Sequence, residues 1–163
     1  LSRRQRHMCI RDSLFAACTE AAAYSVGVSE EEVKLARLLG EYIGICFQIK
    51  DDIFDYFDSK EIGKPTGNDM LEGKLTLPVL YALNRANDNQ ATEIALKVKE
   101  GTATLDEIAR LIAFTKENGG IEYAVRTMNA YKQKAFGLLA SLPDSAICVA
   151  LRSYLDYVVD REK

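Results

Sequence analysis

Asp51, Asp52 and Asp55 stand at i, i+1 and i+4. On a helix that spacing puts the first and third carboxylates one above the other and swings the second about 100° round the axis. Lys50 adds a charge beside them, while the stretch from Leu38 to Phe54 is otherwise largely apolar. Three carboxylates so close to a buried stretch repel one another and cost stability unless a cation compensates. Magnesium suits that role, because it is hard, prefers carboxylate oxygen, keeps several waters and bridges protein carboxylates to phosphate oxygens. A solvated acidic turn would use the same residues, so the triplet alone leaves both readings open.

The next twenty residues bear on the choice. Gly63-Lys64-Pro65-Thr66-Gly67-Asn68-Asp69 and Gly73-Lys74-Leu75-Thr76-Leu77-Pro78 carry two ammonium groups on a glycine-rich loop close behind the acidic triplet. Lysines there would neutralise a metal-bound diphosphate, and glycines let the backbone approach it. Gln48 lies three residues before Asp51, on the same side of a helix. Taken singly, Lys64, Lys74 and Gln48 read equally well as ordinary surface and helix residues.

The elements that must position these groups are all helical in period. Leu14, Phe15, Cys18 and several alanines predict a small-residue helix from Ser13 to about Tyr24, ending near Gly27. Ser29 and Glu32 form a capping box for a long helix from Glu30 to about Asp58. It carries Val33, Ala36, Leu39, Ile43, Phe47 and Phe54 on one stripe, and Leu38, Ile45, Cys46, Ile49 and Ile53 around the rest, as a buried helix does. Residues 59–74 read as a loop. Thr76 and Pro78 then open a helix with Leu77, Leu80 and Tyr81 inward, ending near Asn87. Gln90 to Glu100 is a shorter helix. Thr104 and Glu107 box the next, with Leu105, Ile108, Leu111 and Ile112 inward. Asn118-Gly119-Gly120 separates it from a helix marked by Ile121, Ala124, Val125, Met128, Ala135 and Leu139. Pro143-Asp144 turns the chain into the last helix, where Ile147, Ala150, Leu151, Tyr154, Leu155, Val158 and Val159 recur at three and four.

Composition excludes several function classes. The 163 residues carry a net charge of −3, against a nucleic-acid partner, which rewards clustered Lys and Arg. Arg3, Arg4, Arg6 and Arg11 against Asp12 give residues 1–12 a charge of +3 and leave −6 for the remainder. These twelve residues are expected to be a basic leader outside the main fold. Cys9, Cys18, Cys46 and Cys148 are scattered and His7 is the one histidine, so a zinc site is not indicated and free thiols in a reducing compartment fit. No apolar run reaches membrane-spanning length, and the expectation is a cytoplasmic protein with no stable membrane insertion.

Phe47-Gln48-Ile49-Lys50-Asp51-Asp52-Ile53-Phe54-Asp55, the Gly63-Lys64-Pro65-x-Gly67-x-Asp69 loop and Gly73-Lys74-x-Thr76-Leu77-Pro78 together resemble the second aspartate-rich region of trans-prenyl diphosphate synthases. The likeness runs from about Ser13 to the C-terminus. It implies an all-α helical bundle of the isoprenoid synthase type, with residues 13–163 as its C-terminal part. Such enzymes join an allylic diphosphate to isopentenyl diphosphate. The resemblance implies that Asp51, Asp52 and Asp55 hold Mg2+, that Lys64 and Lys74 contact the diphosphate, that Gln48 lines the pocket, and that Asp51, Asp52 and Lys64 serve catalysis. Metal and lysine charge would stabilise the diphosphate leaving group.

One departure limits this. The family's first aspartate-rich motif is not matched, since Asp88, Asp106, Asp144, Asp156 and Asp160 stand singly. The expectation is a fragment with little turnover by itself, and with exposed apolar surface that favours a homodimer or self-association. The competing readings are a terpene-cyclase-like enzyme, a non-catalytic helical subunit, and a plain bundle with a solvated acidic end.

Overall fold

The computed structural model describes residues 3–57, 66–143 and 145–162, with side chains from Ser13 onward. Among the described residues the regular structure is entirely helical, as expected. The elements are α1 (Arg3–Ser25), α2 (Glu30–Phe54), α3 (Asn68–Leu71), α4 (Leu77–Ala86), α5 (Asn89–Glu100), α6 (Leu105–Glu117), α7 (Gly120–Ala140) and α8 (Ala146–Asp160). They form two compact units, one comprising the chain to Lys50 together with Thr127–Glu162, the other Asp51–Arg126.

The first unit holds α1, most of α2, most of α7, and α8. Leu39, Ile43, Cys46, Met128, Ala135, Leu139, Leu155 and Val158 fill its core. The approach of α1 to α2 depends on Gly40. A Cβ there would lie 2.3 Å from Thr19 Oγ1 and 2.5 Å from the Phe15 carbonyl oxygen. Of the small residues expected to pack on α1, Ala16 is buried, but Ala17, Cys18, Ala21 and Ala22 face outward, as does Leu14, so the close approach rests on the glycine of α2. Arg161, just past α8, lays its guanidinium 4.1 Å from the centre of the Phe47 ring and donates from Nη2 to the Phe47 carbonyl oxygen at 3.3 Å. The Cys46 thiol is wholly buried, donates to the Met128 carbonyl oxygen at 3.4 Å, and is pushed up to about 12, mainly by desolvation.

The second unit packs α4 and α5 against α6, with α3 against α5. Its core is Tyr56, Met70, Val79, Ala91, Ala95, Val98, Ile108, Leu111 and Ile112. Both predicted capping boxes form. Ser29 N–H donates to Glu32 Oε2 at 2.9 Å, and Thr104 N–H to Glu107 Oε2 at 2.9 Å, each answered by a return bond to the cap hydroxyl. Asp88 and Ser145 cap α5 and α8.

Several expectations need correction. The first helix begins at Arg3, ten residues ahead of Ser13, so the basic segment continues a helix. The second ends at Phe54 rather than near Asp58. Its last turn tightens, with Tyr56 N–H bonding to the Ile53 oxygen and Phe57 N–H to the Phe54 oxygen. The loop conceals the single turn α3. Leu105 and Ile147 are 69% and 72% exposed, because each opens its helix ahead of the first core-facing position, Ile108 and Cys148. Leu80 is likewise on the outer side of α4.

The packing sets two expectations. Gly40→Ala should lower stability by about 1–3 kcal/mol in urea unfolding, because the clash outweighs the usual helix gain on replacing glycine. Among Cys18, Cys46 and Cys148, only the exposed Cys18 should react with a thiol reagent before unfolding.

Candidate functional site

The acidic end of α2 divides into three different environments. Asp51 is half-buried, Asp52 is only 2% exposed, and Asp55 lies beyond the helix in the tightened turn. Burying the Asp52 carboxylate is expensive unless it is hydrogen-bonded or paired. Asp55 turns towards the chain that follows. Its Oδ1 accepts the Asn68 N–H at 3.0 Å and its Oδ2 accepts the Asp69 N–H at 3.1 Å, while its carbonyl oxygen accepts the Gly67 N–H at 2.9 Å. One residue therefore staples three consecutive backbone donors.

Gly67 makes that staple possible. Its φ of 81° lies in the left-handed region, and a Cβ would stand 2.8 Å from Ile108 Cγ2 and 2.9 Å from Ile112 Cδ1. Any side chain would meet both the backbone penalty and the core.

Tyr56 closes the other side. Its ring is 1% exposed and its hydroxyl stands 3.4 Å from Thr76 Oγ1. The Val79 N–H also bonds to it. Thr76 makes no side-chain cap of its own, so the expected capping of α4 by Thr76 is corrected: the phenol of Tyr56 takes the third-position N–H instead. Desolvation, joined by the charges of Asp52 and Asp55, pushes that phenol well above its ordinary range, against the hydrogen bonds from Thr76 and Val79. It stays a neutral hydroxyl.

Lys74 is half-buried. Its Nζ lies 3.2 Å from Asp69 Oδ1 and 2.6 Å from Glu72 Oε2. Hydrogen bonding to Glu72 is the main reason its ammonium is held above its usual range, with Asp69 adding to it against desolvation. The second unit thus brings Asp55 and Lys74 into one network through Asp69. Gln48 is half-buried on α2 within the first unit, and Lys64 lies outside the described residues. Sequence reasoning missed Asp69 and Tyr56 as organising residues. Asp69 stood within the quoted motif, and its offset of five from Lys74 was the available signal.

Among the described residues no three carboxylate, imidazole or thiol groups converge as a metal cage. Asp51 and Asp52 nonetheless offer adjacent oxygen donors, and magnesium typically takes one or two carboxylates and completes its shell with water and phosphate. The donor set fits that ion.

The polyprenyl synthetase family model matches residues 11–115. The chain belongs to this family. It is 34% identical over 149 residues to an octaprenyl diphosphate synthase of Haemophilus influenzae, covering 91% of the chain and 45% of that protein. A crystal structure of geranylgeranyl pyrophosphate synthase from Bacteroides thetaiotaomicron superposes with a TM-score of 0.89 at 77% identity, covering 93% of this chain and 50% of that one. A polyprenyl synthase from Caulobacter crescentus, complexed with calcium and isoprenyl diphosphate, gives 0.78 at 32% identity, over 91% of this chain and 45% of that one. The chain spans about half the length of these relatives. As a family member it has the all-α isoprenoid synthase architecture, and no helix among the described residues is long and apolar enough to cross a membrane.

The staple and the buried phenol make separate contributions. Asp55→Ala should cost about 1–3 kcal/mol and speed amide exchange at Asn68 and Asp69, since both donors lose their acceptor. Tyr56→Phe should cost about 1 kcal/mol with no change in those two amides. Hydrogen-exchange NMR and urea unfolding measure both.

Proposed function

We propose that this chain carries the second aspartate-rich, Mg2+-diphosphate site of a prenyltransferase that condenses an allylic diphosphate with isopentenyl diphosphate. The observation that carries the reading is the connected network of the second unit, in which an acidic helix end is stapled by Asp55 to the segment that holds Lys74. The family match and the calcium and isoprenyl diphosphate complex of the Caulobacter crescentus relative support it.

In this reading Asp51 and Asp52 hold the metal. Asp55 is the third proposed ligand, from the turn that follows. Magnesium, when bound, supplies positive charge that stabilises a diphosphate leaving group. Lys74 presents its ammonium to the same diphosphate, and Lys64, outside the described residues, is proposed to do so as well. As the carbon–oxygen bond of the allylic substrate breaks, negative charge grows on the bridging oxygen, and these cations match it. Gln48 is proposed, by the family resemblance, to line the substrate pocket.

Neither the family's first aspartate-rich motif, expected on a helix facing this one, nor the basic residues expected to take isopentenyl diphosphate is matched in this sequence. The chain is therefore proposed to bind Mg2+ and diphosphate while turning over little by itself. Exposed Ile147, Val149, Tyr154 and Tyr157 on α8 favour self-association. Calorimetry with MgCl2 and inorganic pyrophosphate tests the reading directly. Binding should require the metal, and Asp51→Ala or Asp52→Asn should weaken it by at least about tenfold, the scale of one lost charge-assisted contact. Pyrophosphate binding indifferent to both magnesium and these substitutions would refute it.

A further inference from the structure

Asp69 uses each of its polar groups on a different part of the site. Its N–H donates to Asp55 Oδ2 at 3.1 Å, its carbonyl oxygen accepts the Lys74 N–H at 2.7 Å, and its Oδ1 takes the Lys74 ammonium at 3.2 Å. Lys74 is thus gripped at main chain and side-chain tip by one residue, which is itself pinned to the turn after α2. We propose that Asp69 is a positioning residue that fixes the Lys74 ammonium relative to Asp55 before a diphosphate arrives. The proposal rests on the reading of this region as a Mg2+-diphosphate site.

The physical reason is preorganisation. A lysine side chain gives up rotamer freedom when a ligand immobilises it. Held in advance, that loss falls on folding rather than on binding. An ammonium has three N–H donors, so pairing with two carboxylates leaves it able to meet a phosphate oxygen.

Glu72 is the rival holder. It is nearer, at 2.6 Å, and does most to raise the Lys74 pKa. Its side chain is 65% exposed, however, against 27% for Asp69, so water and salt screen it. Asp69 is also anchored through its own backbone on both sides. Its hold is the one that survives in solution.

A double-mutant cycle on the full chain tests this, with calorimetry of inorganic pyrophosphate in MgCl2 as the readout. Asp69→Asn keeps the backbone bonds but drops the charge, and should weaken binding roughly tenfold. On a Lys74→Ala background the same change should shift affinity less than about twofold, because the group it positions is gone. Glu72→Gln should cost less than about threefold. The NMR titration of isotopically methylated Lys74 should move to lower pH in Asp69→Asn, which checks that the pair forms in solution, while the cycle with Lys74→Ala separates positioning from a merely structural role. Should the asparagine variant fail to fold, Asp69→Glu, which keeps the charge but alters its reach, takes its place in the cycle. Equal losses with and without Lys74, or no loss at all, would overturn the positioning role and leave the site reading standing. Absence of Mg2+-dependent pyrophosphate binding in the unsubstituted chain would overturn the site reading itself.

Discussion

Where α2 unwinds, the Asp55 carboxylate is held by two backbone donors from a segment thirteen and fourteen residues further on, and its own carbonyl takes a third. Much of the site's order depends on this clasp. A loop of that length loses considerable entropy on closure, and charge-assisted bonds to a carboxylate are among the stronger compensations available. The clasp also explains why Gly67 carries a positive φ against Ile108 and Ile112: the chain must pass close to the α6 core to bring residues 68 and 69 round to Asp55. Without it, Lys74 would be a lysine on a loop with no defined relation to the acidic helix end.

The clasp shares the second unit with an electrostatic cost. Asp52 is buried and Asp55 half-buried, and both disfavour ionisation of Tyr56. The phenol turns that to use. Kept neutral and buried, it supplies an oxygen to the α4 N-terminus, where Pro78 has already removed one of the orphan donors. The hydroxyl of Thr76, which local sequence would assign to that cap, joins Tyr56 instead. One side chain thereby ties the acidic turn to the helix that follows Lys74. Acidic charge, loop and helix start form a single mechanical unit.

What could be read from residues alone follows from which forces are local. Helix periods, the Ser29–Glu32 and Thr104–Glu107 boxes and the glycine stops were legible because each depends on neighbours within one turn. The acidic triplet and lysine loop were legible because their residue types and spacing carry chemistry. Three features were not. The early end of α2 arises because Asp55 leaves the helix for long-range partners. The capping of α4 by Tyr56 joins residues 23 apart in the chain, Tyr56 and Val79. The start of α1 at Arg3 lies where no apolar period signals a helix. The deeper limit concerns the carboxylates. Spacing makes Asp51, Asp52 and Asp55 look equivalent, all aimed at one cation. Burial and backbone donors separate them, giving Asp55 to the architecture first. The proposed metal role then rests on Asp51 and Asp52. A carboxylate whose charge is met by backbone donors of its own loop adds less repulsion to its neighbours, which is how an acidic motif avoids simply repelling itself.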